Sequence, residues 1–388
     1  MPQASNAFGM YRKSIMNHAT KEGTFNYLKQ FPKYSKDFYR FDGDVFVSSL
    51  GLGTFRKEPY REENYIVNYK DSVKMAVLNG INLIDTAINY RYQTSEREIG
   101  EAIQELLSEG SATRDQLVVT SKAGFLPLDF PFPENPYQWI EENIITPGLA
   151  EKEDVIVDQH CMTPAYLRWS AEQSLKNLQL ETIDVFFLHN PEMQLGYVDY
   201  KTLKKRIKKA FELFEKLVEE GKIRHYGIAS WNGFLYDESH TEYLSLKDMV
   251  AIAEEVGGKG HHFKYIQSPY NIAKTQARSY SNQKGPDGRY YTLMQAVHGY
   301  GLKMMGSSSL LQANIFQSKF DPKVGELLGT SELNDLATAL QFARMGSVVS
   351  SLFGAVDPQH VEDNLMLAYI PNAKPENIAK LFGAKDAV

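Results

Sequence analysis

The chain has 388 residues, of which 43% are hydrophobic, 12% aromatic and 23% charged, which excludes a disordered polar chain and leaves apolar side chains enough for a large core. Lys and Arg number 42 against 48 Asp and Glu, a net charge of −6 that argues against nucleic-acid backbones as partners. A single cysteine, Cys161, excludes an internal disulfide and any Cys-rich zinc or iron-sulfur site within one chain.

At about 150 residues per domain this length suits two or three domains, or one α/β barrel. The opening residues lack the apolar core of a signal peptide, and no apolar run approaches the roughly 18 residues of a membrane span. The expectation is a soluble, cytoplasmic protein with neither membrane nor nucleic acid as partner and a small molecule as substrate.

In chain order, residues 1–44 precede any regular pattern and end in FYRFDGDVFV. There Asp42 and Gly43 between apolar residues predict a hairpin that covers one mouth of the main domain. Short β-branched or aromatic runs then alternate with helical spacing. Strands are predicted at 48–55, 81–86, 117–122, 183–189, 225–230, 264–269, 303–308 and 348–353. Helices are predicted at 66–78, 95–109, 163–178, 200–220, 245–256, 290–299, 330–345 and 360–368. Ser95 with Glu98 suits a capping box, and Thr163 followed by Pro164 suits a capped start. In 200–220 the run Lys204, Lys205, Lys208 and Lys209 lies opposite the apolar stripe and reads as a solvated face.

Eight strand-helix units with mostly apolar strands predict parallel pairing closed into a (β/α)8 TIM barrel over residues 45–370, with 371–388 as a tail. A doubly wound sheet is the alternative. Against it, the nearest match to GxGxxG, GLGTFR from Gly51, has Arg56 in place of the third glycine. The stretch 123–162, rich in Pro, Phe, Asn and Glu, is too long for a simple connection and reads as an inserted substrate loop.

Barrel chemistry sits at the carboxyl ends of strands. Asp85 ends strand two with Tyr90 five residues later, Lys122 ends strand three and His189 ends strand four. Together they form an acid-base set in which a cation beside the phenol lowers its pKa from about 10 towards working pH. Tyr92 is a rival acid. The adjacent His261 and His262, and His160 beside Cys161, are weak metal candidates, and no metal site is expected.

GINLIDTAINY, VVTSK, TIDVFFLHNPE, GKIRHYGIASWN, QSPYN and FGAVDPQHVEDNL, in that order, resemble the aldo-keto reductase family over about Phe46 to Leu365. The resemblance implies an NAD(P)-dependent oxidoreductase that interconverts a carbonyl and an alcohol. It implies Tyr90 as general acid/base, Lys122 as the group that lowers its pKa, Asp85 as the holder of Lys122, and His189 as the orienter of the substrate oxygen. For the cofactor it implies Gly53, Thr54, Asp85, Ser230, Gln267, Ser307, Ser308, Gly354, His360 and Asn364.

The chain departs from the family at several of these places. Ala229 and Ser230 replace a common Ser-Asn pair, Ser307 stands where a ring-stacking tyrosine is frequent, and Gly354 and His360 stand where Lys and Arg often bind a 2′-phosphate. With Asp357 nearby and Arg344 as the one candidate replacement, NADH is expected to be slightly favoured over NADPH. Arg91, after the tyrosine, and Trp231 are the expected substrate-binding residues, with a sugar or another polar molecule as substrate. The alternatives are a non-catalytic, redox-sensing cofactor-binding subunit, or a barrel lyase or isomerase that retains its nicotinamide.

Overall fold

Strands that are apolar on both sides need cover on both faces, and a closed sheet ringed by helices supplies it. The computed structural model of the protein describes residues 17–56, 68–157, 159–317 and 319–383. The eight expected strands form at Leu50–Gly53, Leu83–Asp85, Val118–Ala123, Ile183–His189, Ile223–Ala229, Phe263–Pro269, Lys303–Ser307 and Val348–Gly354. Each pairs in parallel with the next, and the eighth returns to the first, so the sheet is a closed (β/α)8 barrel.

The helices between them are Lys70–Leu78, Thr94–Ser108, Pro164–Leu178, Tyr200–Glu219, Leu246–Gly257, Leu293–Gly299, Asp335–Ala343 and Pro358–Leu365. The start expected at 66 lies outside the described residues. Thr163 caps its helix as predicted, accepting from the Tyr166 N–H. The Ser95–Glu98 box does not form. That helix begins one residue earlier, Ser95 Oγ donates to the Thr54 carbonyl, and Glu98 accepts from the Tyr69 N–H. The helix expected over 330–345 starts only where Asn334 caps it, and a separate helix, Pro322–Leu328, precedes it. The helix expected from 290 starts at Leu293, because Tyr290–Thr292 pairs with Ser281–Lys284 as a second hairpin. Lys204 and Lys208 do not simply face water but pair with Asp248 and Glu255 on the next helix, exposed contacts of small energetic weight.

The predicted N-terminal hairpin forms from Tyr39–Phe41 and Phe46–Ser48, with Gly43 at φ +102° in the turn, where a side chain would be strained. It covers the amino-terminal mouth. Val45 and Val47 pack with Leu83, Val118, Val185 and Phe187 inside the barrel, and Tyr265 donates its hydroxyl to Asp42 Oδ2 (2.5 Å). Arg40 ties the hairpin to the start of the eighth strand and the end of the helix before it, through the Val348 and Arg344 carbonyls. Among the described residues no helix is long and apolar enough to cross a membrane.

Candidate active site

At the opposite, carboxyl-terminal mouth lies a cavity of about 1030 Å³ that runs from Tyr90 and His189 to Asp357 and His360. Parallel strands deliver their terminal residues to this one rim, which is why residues far apart in sequence meet there. Asp85 is the hub. Its Oδ2 accepts from Lys122 Nζ (2.7 Å), and its Oδ1 accepts from Thr120 Oγ1 (2.6 Å) and Gln267 Nε2 (2.8 Å). Lys122 is wholly buried, donates also to the Thr86 carbonyl (2.7 Å), and holds its ammonium 4.9 Å from the centre of the Tyr90 ring.

Burial raises the Tyr90 hydroxyl above the ordinary phenol value, and the Lys122 charge offsets only part of that. The expected net lowering is therefore corrected: in the protein alone Tyr90 is a protonated phenol. Burial works against the Lys122 ammonium, but Asp85 and Tyr90 together outweigh it, so the group is raised above the ordinary lysine value and stays charged. His189 is buried beside this cation, first burial and then Lys122 pushing it far below the usual histidine range, so it is neutral. Its Nδ1 has no hydrogen-bond partner.

His189 is held from behind by the insertion. His160 Nε2 lies 2.8 Å from the His189 carbonyl, so it carries the proton, and His160 Nδ1 accepts from Gln194 Nε2 (2.9 Å). Arg206 donates to the other end of the Gln194 amide. A Cβ on Gly124 would come within 2.7 Å of the His189 carbonyl oxygen and 2.8 Å of His160 Nε2, so the close approach requires glycine there. His160 is thus a buried structural group, with burial lowering it to about 4. His262 pairs with Glu215, and the described residues contain no His, Cys, Asp or Glu cluster able to hold a metal ion.

Of the other expected residues, Gly53, Ser230, Gln267, Ser307, Ser308, Gly354, His360 and Trp231 line the cavity. Thr54 and Asn364 are buried outside its lining, Thr54 donating its backbone N–H to the Asp85 carbonyl (3.0 Å). Arg91 also lies outside it. Its φ of +48° sends the side chain inward, where the guanidinium pairs with Glu98 (2.5 Å) and lies over Tyr69, so it is no substrate-facing cation. Tyr92 likewise packs away from the cavity, against Phe132. Arg344 sits at the far end of the barrel, bonded to Gln341, Ser49 and the Ile370 carbonyl, and cannot serve a phosphate at this mouth.

Several lining residues lie beyond those expected from sequence: Phe55, Asn89, Phe125, Gln159, and the 309–313 segment, besides Arg56. Phe125 and Gln159 stand at the two ends of the insertion, which therefore walls the cavity beside Tyr90. The polar lining, with a buried Gln267 and Ser230 at one end and three consecutive serines at 307–309 further along, fits an extended, polar nucleotide.

Residues 49–251 match the model of the Aldo/keto reductase family. The chain is 27% identical over 217 residues to glyoxal reductase of Bacillus subtilis, covering 56% of this chain and 55% of that protein. It is 27% identical over 333 residues to a putative voltage-gated potassium channel subunit beta of Schizosaccharomyces pombe, covering 81% and 75%. The chain spans about half the length of most curated relatives it matches. Among solved structures, an aldo/keto reductase from Klebsiella pneumoniae in complex with NADP and acetate superposes with a TM-score of 0.56 at 20% identity, over 89% of this chain and 94% of that one. A family match over more than half the chain, on a closed eight-stranded barrel, places this protein in the aldo/keto reductase family.

Proposed function

We propose that the protein is an NAD(P)-dependent oxidoreductase that interconverts a carbonyl and an alcohol on a polar, sugar-like substrate. The observation that carries this reading is the buried contact of Asp85 with Lys122 beneath the Tyr90 ring, at the floor of a cavity roomy enough for a dinucleotide and a small molecule. The nicotinamide, when bound, supplies or accepts the hydride at the reacting carbon. The protein's part is the proton. Tyr90 gives its hydroxyl proton to the carbonyl oxygen in reduction and receives it back in oxidation. Lys122 stabilises the phenolate left behind, Asp85 fixes Lys122, and His189, neutral, orients the substrate oxygen with an N–H. The walls exclude water and so strengthen these interactions.

Phe55, Phe125 and Trp231 offer flat apolar faces, and Asn89, Gln159 and Asn190 offer amides, a combination that suits a hydroxylated ring. For the cofactor, neither Lys nor Arg stands at Gly354, Asp357 or His360, which supports a slight lean to NADH. Arg56, whose neighbour Phe55 has its carbonyl beside Gly354, is the one Lys or Arg among the described lining residues and limits that lean. The match to the putative channel subunit favours a second reading, a cofactor-binding partner subunit without turnover. One assay separates the two: change in nicotinamide absorbance with a panel of carbonyls and polyols, for the wild type and Tyr90→Phe. Turnover that Tyr90→Phe lowers by about a hundredfold or more is expected; cofactor binding with no turnover on any compound would favour the subunit.

A further inference from the structure

Ser230 and the two residues after it are held from beneath by one buried carboxyl group. Glu192, three residues beyond His189, uses Oε1 to accept the Ser230 hydroxyl (2.8 Å), the Trp231 backbone N–H (2.7 Å) and the Asn232 backbone N–H (3.3 Å). Its Oε2 is buried and has no partner, so all its hydrogen bonding is spent on this turn. The hydroxyl of Ser230 is thereby committed as a donor towards Glu192. Gly233 N–H donates to the same Ser230 oxygen (2.9 Å) and takes one of its two lone pairs. Ser230 lines the cavity, and its hydroxyl oxygen has one acceptor site left for a ligand there. A freely rotating serine can meet either end of a primary amide; this one can meet only an N–H.

We infer that Glu192 is a positioning residue that sets Ser230 as an acceptor for the amide N–H of the nicotinamide, in place of the Ser-Asn pair that Ala229 and Ser230 replace. The inference rests on the nicotinamide-dependent reading above. Gln267, which lines the same cavity, is held beside this turn by its Nε2 bond to Asp85 Oδ1 (2.8 Å). The glutamate then decides which end of the amide the serine reads.

The test is calorimetric titration of the full chain with NADH and with its 3-acetylpyridine analogue, in which a methyl group replaces the amide nitrogen. The wild type is expected to bind NADH about five- to tenfold more tightly than the analogue, the size of one net hydrogen bond. Ser230→Ala and Glu192→Ala should bring the ratio close to unity. Glu192→Gln keeps an oxygen for the three donors and should keep the ratio. No preference in the wild type, or a preference that survives in Ser230→Ala or in Glu192→Ala, overturns the inference while leaving the cofactor reading intact. If Glu192→Ala does not fold, a folded Glu192→Gln that has lost the ratio overturns it as well. Failure of the wild type to bind NADH or NADPH at all overturns the cofactor reading itself.

Discussion

Lys122 and Asp85 form a buried ion pair, 2.7 Å between Nζ and Oδ2, in which the lysine side chain has no exposure at all. Removing one partner strands the other in a medium that cannot solvate it. Lys122→Met is expected to lose about 3–5 kcal/mol of stability in denaturant titrations, and Lys122→Met/Asp85→Asn to recover most of it without recovering activity. The single variant also removes the charge that lowers Tyr90, so the phenol rises further. In the oxidation direction, which needs Tyr90 deprotonated, the rising limb of the pH-rate profile should move to higher pH; an unmoved limb would remove Lys122 from the role of tuning the acid.

Tyr90→Phe is expected to lower turnover by about 10² to 10⁴ while nucleotide affinity stays near that of the wild type, because the hydroxyl moves a proton and holds no part of the dinucleotide. Tyr92→Phe should change turnover little, since that ring packs on Phe132 away from the cavity. Single-turnover kinetics of the pair decide between the two phenols.

Arg91→Ala should act on stability and not on substrate KM. The guanidinium pairs with Glu98 with 1% of its side chain exposed, and its loss leaves a largely enclosed carboxylate with one cation fewer, a cost of about 2–4 kcal/mol in thermal or chemical unfolding. A raised KM at unchanged stability would restore Arg91 as a substrate ligand.

The burial of His160 has a pH signature. Its folded value, about 4, lies below the roughly 6.5 of an unfolded chain, so between these values the unfolded chain binds the extra proton. Stability is therefore complete above pH about 6.5 and falls as the pH drops towards 4, by about 3 kcal/mol from this residue. Unfolding curves at the two ends of that window should show this loss shrink in His160→Gln.

Arg56→Ala should weaken NADPH binding more than NADH binding, by about tenfold in relative Kd if the guanidinium meets the 2′-phosphate. Parallel titrations with both nucleotides check it, and equal effects would leave that phosphate without a cation from the described lining.

The barrel strands are legible in the sequence because each is a short, doubly apolar run bounded by polar turns, and the Asp85–Tyr90 spacing is legible because a strand end fixes where both side chains emerge. Arg91 is not. It opens a run of three residues with positive φ, Arg91, Tyr92 and Gln93, that turns it to Glu98, and no glycine or asparagine in the run signals that turn. Phe125 and Gln159 are hidden for another reason: a long insertion returns to its starting point only in three dimensions. Glu192 is hidden because its partners are backbone N–H groups and a serine on the next strand's end. The burial that raises Tyr90 is equally invisible, because it depends on how closely the walls approach.

The insertion leaves and re-enters the barrel through a narrow neck, with Leu126 N–H on the Gln159 carbonyl (2.7 Å), Cys161 N–H on the Gly124 carbonyl (2.8 Å) and Phe125 paired with His160. Beyond the neck it is fastened to the helix region after Tyr90 through Gln93 on the Leu128 carbonyl and Arg97 on Asp129. The neck behaves as a clasp, and the excursion past it folds back onto the main core through Ile140, Ile144 and Ala150. The clasp keeps His189, Phe125 and Gln159 in register, so a change in the side chains that the excursion holds outside that core alters the wall without moving the groups at the floor.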